Sequence, residues 1–130
     1  MKLEIELSRE VLEDIFVTAI EGGSNYWYYL SYDAIKKIRS AVPKNKEPYI
    51  STAVLTAILD YNVEVPINDA ENEEDIIGYI SIKTMQERLQ SLYNDSDYRW
   101  ALERHINAEG DADSADVVFQ YLAMGEVVYG

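Results

Sequence analysis

The chain contains no cysteine, so a disulfide framework, a zinc–thiolate site and a thiol nucleophile are all excluded. Histidine occurs once, at His105. A lone histidine without cysteine cannot build a standard zinc site, and no serine stands in a nucleophile-elbow context. His105, preceded by Arg104 in a helical window, reads as a surface or half-buried structural residue. No run approaches the ~18 consecutive apolar residues of a membrane span. No apolar stretch follows Lys2 as a signal peptide requires, which predicts a cytoplasmic protein. Basic residues are scarce as well, 11 against 24 acidic ones, for a net charge of -13. That balance disfavours direct binding to nucleic acid or to anionic membranes. It allows solubility alone, a basic protein partner, or imitation of nucleic acid.

The 130 residues and a hydrophobic fraction of 48% fit one globular domain with an ordinary core. Charge is uneven along it. Lys36, Lys37, Arg39, Lys44 and Lys46 gather five of the eleven basic residues into one short segment, a patch able to focus a small anion or simply a solvated helix face. Between Asp60 and Asp75 there are seven acids and no base.

Residues 2–7 alternate at period two and predict a strand. Ser8 suits the N-cap of a helix whose stripe is Val11, Leu12, Ile15, Phe16, Ala19 and Ile20, stopped by Gly22-Gly23. Further helices are expected over 32–42, ended by Pro43, and over 51–61. Residues 62–67 read as a strand, placed at an edge by Pro66. An acidic turn over 68–75 and a returning strand over 76–80 follow. Ser81 or Thr84 opens the next helix, with Met85, Leu89 and Leu92 inward. Asp95 or Asp97 caps another, carrying Trp100 and Leu102, and Asp113 caps the last, with Ala115, Val118, Phe119 and Leu122 inward. Gly125 ends it, and 126–129 forms a final strand. The expected fold is α+β: five or six short helices packed with a three- to four-stranded sheet.

Few residues suggest chemistry. Asp111-Ala112-Asp113-Ser114-Ala115-Asp116 lacks the following glycine and distant glutamate of a calcium loop and reads as helix initiation. Gly22-Gly23 has neither phosphate-loop spacing. No catalytic motif, metal set or cofactor signature is visible. The aromatics differ. Tyrosine accounts for 11 residues, and Tyr26, Trp27, Tyr28 and Tyr29 are consecutive, so they cannot all face the core. Tyr93, Tyr98 and Trp100 lie near Arg99 and Arg104, the elements needed to stack a base and pair its phosphate. The alternative is that Trp27 and Trp100 anchor the core with tyrosines at the rim.

The stretch Glu21-Gly22-Gly23-Ser24-Asn25-Tyr26-Trp27 and the segment from Ala115-Asp116 through Gln120-Tyr121 to Gly125-Glu126 and Val128-Tyr129-Gly130 resemble a family of small phage and prophage proteins. Its marks are an EGGxxYW motif and a terminal ADxxxQYxxxGExVYG-like segment. The chain departs from the pattern at Tyr28-Tyr29, where small residues are expected. The resemblance implies a phage origin and expression in a host bacterial cytoplasm, without an established activity. Proteins of this kind include non-catalytic counter-defence factors that sequester cyclic nucleotide-type immune signals, usually as homo-oligomers. On that reading Tyr26, Trp27, Tyr28 and Trp100 stack bases, Arg99 and Arg104 neutralise phosphate, and Asp116 and Gln120 shape the pocket or read a base edge. The other expectations are an acidic, DNA-mimicking or anti-CRISPR-like inhibitor of a basic host protein, and a structural phage component.

Overall fold

A computed structural model describes residues 6–130. The strand expected over residues 2–7 lies outside them apart from Glu6 and Leu7, which carry no regular secondary structure. The rest is α+β: six α-helices around a three-stranded antiparallel sheet, in one domain with one hydrophobic cluster.

Helix α1 (Arg9–Thr18) starts where Ser8 Oγ accepts from the Val11 amide, and buries Leu12, Ile15 and Phe16. It runs into a π turn (Ala19–Gly23) that ends with the Ser24 amide donating to the Ala19 carbonyl. The chain turns through 24–27 and forms the two-residue strand β1 (Tyr28–Tyr29). Ser31 caps α2 (Tyr32–Ala41); after a loop, α3 (Ile50–Tyr61) supplies a largely buried helix. Strands β2 (Val65–Asp69) and β3 (Ile76–Ile80) make the acidic hairpin. Ser81 and Thr84 together form the capping box of α4 (Ile82–Tyr93). Helices α5 (Arg99–Ile106) and α6 (Ala112–Met124) follow.

The sheet order is β1-β2-β3, so β2 is central rather than an edge. Pro66 is tolerated because β1 reaches only Asn68 and Asp69, which leaves the Pro66 end of β2 paired on the β3 side alone. Two caps also differ from expectation. Asp111, not Asp113, accepts from the Ser114 amide at the start of α6. At α5 neither aspartate caps: Tyr98 holds the N-cap position without a side-chain bond, while Asp95 closes the preceding turn by accepting from the Asp97 amide.

The expected final strand is absent. Residues 126–130 form no ladder; instead the Gln120 side chain takes the part of a strand partner. Its Oε1 accepts from the Val128 and Tyr129 amides, each at 2.9 Å, and its Nε2 donates to the Tyr129 carbonyl at 3.1 Å. A primary amide has the donor and acceptor of a peptide group and can satisfy tail backbone that would otherwise need a strand.

Helix α6 is the central element, packed against α1, α4, α5 and β3. It buries Ala115, Val118, Phe119, Leu122 and Ala123 together with the polar Ser114, Asp116 and Gln120. Strand β3 crosses it so closely at Gly78 that a Cβ there would meet the Ala123 carbonyl oxygen at 2.1 Å. Neither partner can yield, since both are backbone. Gly78→Ala is therefore expected to lower stability by about 2–3 kcal/mol, read as a drop in the denaturant midpoint with unchanged slope.

Candidate functional site

The two sequence motifs fold onto each other through one carboxylate. Asp116 lies almost fully buried on α6. Its Oδ1 accepts from Ser24 Oγ at 2.8 Å and from the Trp27 indole Nε1–H at 2.7 Å. Its Oδ2 accepts from the Tyr26 hydroxyl and from Gln120 Nε2 at 3.2 Å. Ion pairs among the described residues are Arg9–Asp60, Arg104–Asp111 and His105–Asp14, so Asp116 is neutralised by none of them. Four donors hold the charge instead, and buried carboxylates are stable when donors replace their lost water.

This arrangement fixes the aromatic block. Trp27 is 2% exposed; its ring stacks on Tyr129, with centroids 5.5 Å apart and planes 13° from parallel, and tilts against Phe119. Tyr28 is also buried, packs edge-on to Phe119 at 5.3 Å and donates its hydroxyl to the Ile20 carbonyl at the π turn. Tyr26 and Tyr29 remain exposed. The bulk of Tyr28 thus fills the core.

Two cavities flank the block. The first, about 440 Å³, is lined by Tyr26, Trp100, Asp113, Asp116, Val117 and Tyr129. It contains three of the residues expected to bind a ligand (Tyr26, Trp100 and Asp116), while Trp27 and Gln120 are bonded to its Asp116. The two expected phosphate ligands line it with no side chain. Arg99 is turned back onto the end of α4: its Nε donates to the Tyr93 carbonyl and its guanidinium lies 5.5 Å over the Tyr93 ring. Arg104 pairs with Asp111 at 3.6 Å and donates to the Glu109 carbonyl. Among the described residues the cavity's charged walls are carboxylates, the opposite of what phosphate requires.

The second cavity, a groove of about 640 Å³, lies on the other side of the block. Its walls include Tyr28 and Tyr29 of β1, Ile35 and Arg39 of α2, and Lys44 and Tyr49 of the following loop. Arg39 donates to the Val42, Glu47 and Pro48 carbonyls. Its guanidinium therefore shapes the loop while keeping its charge. The composition-level signal for this groove was the basic segment 36–46; what the sequence did not carry was that the loop folds Lys44 and Tyr49 back beside Tyr29.

A third constellation was not foreseen. His105 is buried, with Nδ1 2.7 Å from Asp14 Oδ2 and Nε2 2.9 Å from Ser114 Oγ. Because the carboxylate only accepts, Nδ1 carries the proton. The order Asp–His–Ser is that of a hydrolytic triad, but the hydroxyl is sealed: Ser114 is 0% exposed and its Oγ also serves the α6 capping box. The chain tethers α1, α5 and α6, and its parts stand 91 and 9 residues apart. No local pattern could announce it. The described residues bring no group of three or more His, Asp or Glu into a metal-holding arrangement, and none of their helices is long and apolar enough to cross a membrane.

No protein-family model matches the chain, and neither does any curated protein or solved structure.

Two predictions follow from the Asp116 cluster. Asp116→Ala leaves the buried Trp27 indole N–H and Ser24 hydroxyl without an acceptor and should cost about 3 kcal/mol, measured by denaturant unfolding. The second concerns alkali. Burial and the bond to Asp116 push the Tyr26 phenol up to about 12 from 10.0, and burial likewise raises Tyr28, Tyr121 and Tyr129. A raised folded-state value means the unfolded chain releases these protons first. The corresponding stability is present in full below pH 10 and lost as pH rises from there towards 12. Unfolding midpoints across that range, with phenolate absorbance as the titration signal, should show the fall, and Tyr26→Phe should reduce it.

Proposed function

We propose that the protein is a non-catalytic binding protein that captures a small anionic ligand bearing flat rings, of the nucleotide type, in the groove between β1 and α2. One observation carries this reading: exposed Tyr29 and Tyr49 and the cations Arg39 and Lys44 line the same concavity. Tyrosine faces offer stacking area with a hydroxyl at the edge. A guanidinium held by carbonyls rather than carboxylates, beside an exposed ammonium, supplies uncancelled positive charge. The groove volume falls within the range of small-molecule sites, roughly 300–1,000 Å³. Together with the resemblance to small phage proteins, this supports a counter-defence role in which a cyclic nucleotide-type immune signal is sequestered without turnover. On this reading Tyr28, expected to bind, lines the groove, the cations come from the basic segment 36–46 rather than from Arg99 and Arg104, and Tyr29 and Tyr49 take the stacking part given to Trp27.

A second reading is favoured by the β2–β3 turn, where Glu71, Glu73, Glu74 and Asp75 are all exposed within a protein of net charge -13. Such a rim suits competition for a basic groove on a host protein.

One screen separates the two. Cyclic dinucleotides, cyclic trinucleotides and cyclic ADP-ribose isomers are tested by calorimetry and native mass spectrometry. At least one should bind with Kd below ~10 μM. Lys44→Ala and Tyr49→Ala should each weaken it about tenfold. Tyr49 occupies the α3 N-cap position without a side-chain cap bond, so its removal spares the helix. Absence of any ligand below that limit overturns the capture reading. Salt-sensitive binding to a basic protein that survives Tyr49→Ala selects the acidic rim instead.

A further inference from the structure

The first cavity has the chemistry of a cation site, and it does not depend on the groove. Three aromatic residues, Tyr26, Trp100 and Tyr129, line it with two carboxylates, Asp113 and Asp116, and the aliphatic Val117. Aromatic faces carry negative quadrupole potential, and rings arranged around a cation are how proteins hold alkylated ammonium groups. Trp100 is the best such ring and is 42% exposed, so its face is accessible to a ligand. Tyr129 is kept in place from behind by stacking on Trp27 and from its backbone by Gln120. The walls are therefore preformed.

Electrostatics point the same way. The cavity opens beside the start of α6, whose dipole contributes about half a positive charge. Asp111 caps that end, and Asp113 and Asp116 add two further negative charges in the cavity wall. Asp113 and Asp116 outweigh the dipole. Arg104, a nearby cation, is spent on Asp111.

We propose that this cavity binds an alkylated ammonium group, with Trp100, Tyr26 and Tyr129 as its walls and Asp113 and Asp116 as counter-charges. An ammonium is preferred over a guanidinium because acceptors are short. Asp116 already receives four hydrogen bonds, and the Tyr26 hydroxyl oxygen already accepts from Gln120 Nε2 at 3.4 Å, which leaves Asp113 as the open side-chain acceptor in the wall. A guanidinium would bring five N–H donors needing partners, whereas a methylated ammonium asks only for charge and apolar contact.

The chain has two tryptophans, so its two indole N–H signals in a ¹⁵N–¹H spectrum report on the bond to the Asp116 wall (Trp27) and on the wall itself (Trp100). Titration of the full chain with tetramethylammonium chloride should shift the Trp100 signal saturably, with Kd in the low millimolar range or tighter, roughly what five heavy atoms can supply. Sodium chloride at equal ionic strength should give no saturable shift. Asp113→Asn and Trp100→Leu, both at exposed positions, should weaken binding about tenfold, with Trp27 as the reporter in the second case. Lys44→Ala should leave it unchanged, which separates this site from the groove. A shift that grows linearly with salt, a Kd untouched by both cavity variants, or saturation by methylguanidinium alone overturns the proposal.

Discussion

A buried carboxylate without a cationic partner is the constraint around which this fold is arranged. Removing such a charge from water costs several kcal/mol even after relaxation, and in Asp116 that cost is offset by donors from two parts of the chain: the 24–27 turn, through Ser24, Tyr26 and Trp27, and α6 itself, through Gln120. Gln120 then extends the network to the C-terminal backbone. Each member holds the next, so the turn after the π helix, the start of β1 and the tail are one unit. A network of this kind specifies geometry more sharply than apolar packing, because a displaced member leaves a buried polar group unpaired.

The geometry so fixed decides where charge can act. With net charge -13 the protein repels anions at long range, yet the field within a cavity is set by residues inside a Debye length of about 8 Å. On the α2 side that short range contains Arg39 and Lys44; on the α6 side it contains Asp113 and Asp116. Arg39 is the instructive case. Three carbonyl oxygens orient it, and unlike a carboxylate they leave its full charge available to the groove. Arg99 and Arg104 show the contrary outcome, one folded onto the Tyr93 carbonyl and ring and the other paired with Asp111.

Helix positions were legible because each rests on local rules. Ser8 and Ser81 cap the helices they were expected to open, and the α1 stripe Leu12, Ile15 and Phe16 is buried as its spacing requires. The acidic hairpin was legible for the same reason. What escaped reading depended on contacts across the chain. The tail alternates like a strand, yet a glutamine side chain satisfies it. Pro66 marks an edge only locally, because β1 is too short to reach it. Proximity of arginines to aromatics in sequence said nothing about their direction, since a long flexible side chain follows the nearest acceptor. The triad-like Asp14–His105–Ser114 link joins α1, α5 and α6, and no spacing rule spans such distances. For the candidate site, the sequence identified Tyr26, Trp100 and Asp116 as neighbours but not the sign of their cavity.

Four consecutive aromatic residues cannot share one environment, and the Asp116 network determines how they are divided. Because the carboxylate takes both the Tyr26 hydroxyl and the Trp27 indole N–H, residues 26 and 27 both lean towards α6, which the alternation of a regular strand would not allow for neighbours. Trp27 reaches deeper and is covered by Tyr129; Tyr26 stays at the rim. The strand geometry that begins at Tyr28 then restores alternation, sending Tyr28 inward onto Phe119 and Tyr29 outward. Trp27 and Tyr28 pack ring against ring, and the two cavities share no lining residue. Each is therefore free to carry its own charge sign. A block of residues alike in composition thus separates an acidic cavity from a basic groove less by its own chemistry than by the one buried charge to which its first two members are bound.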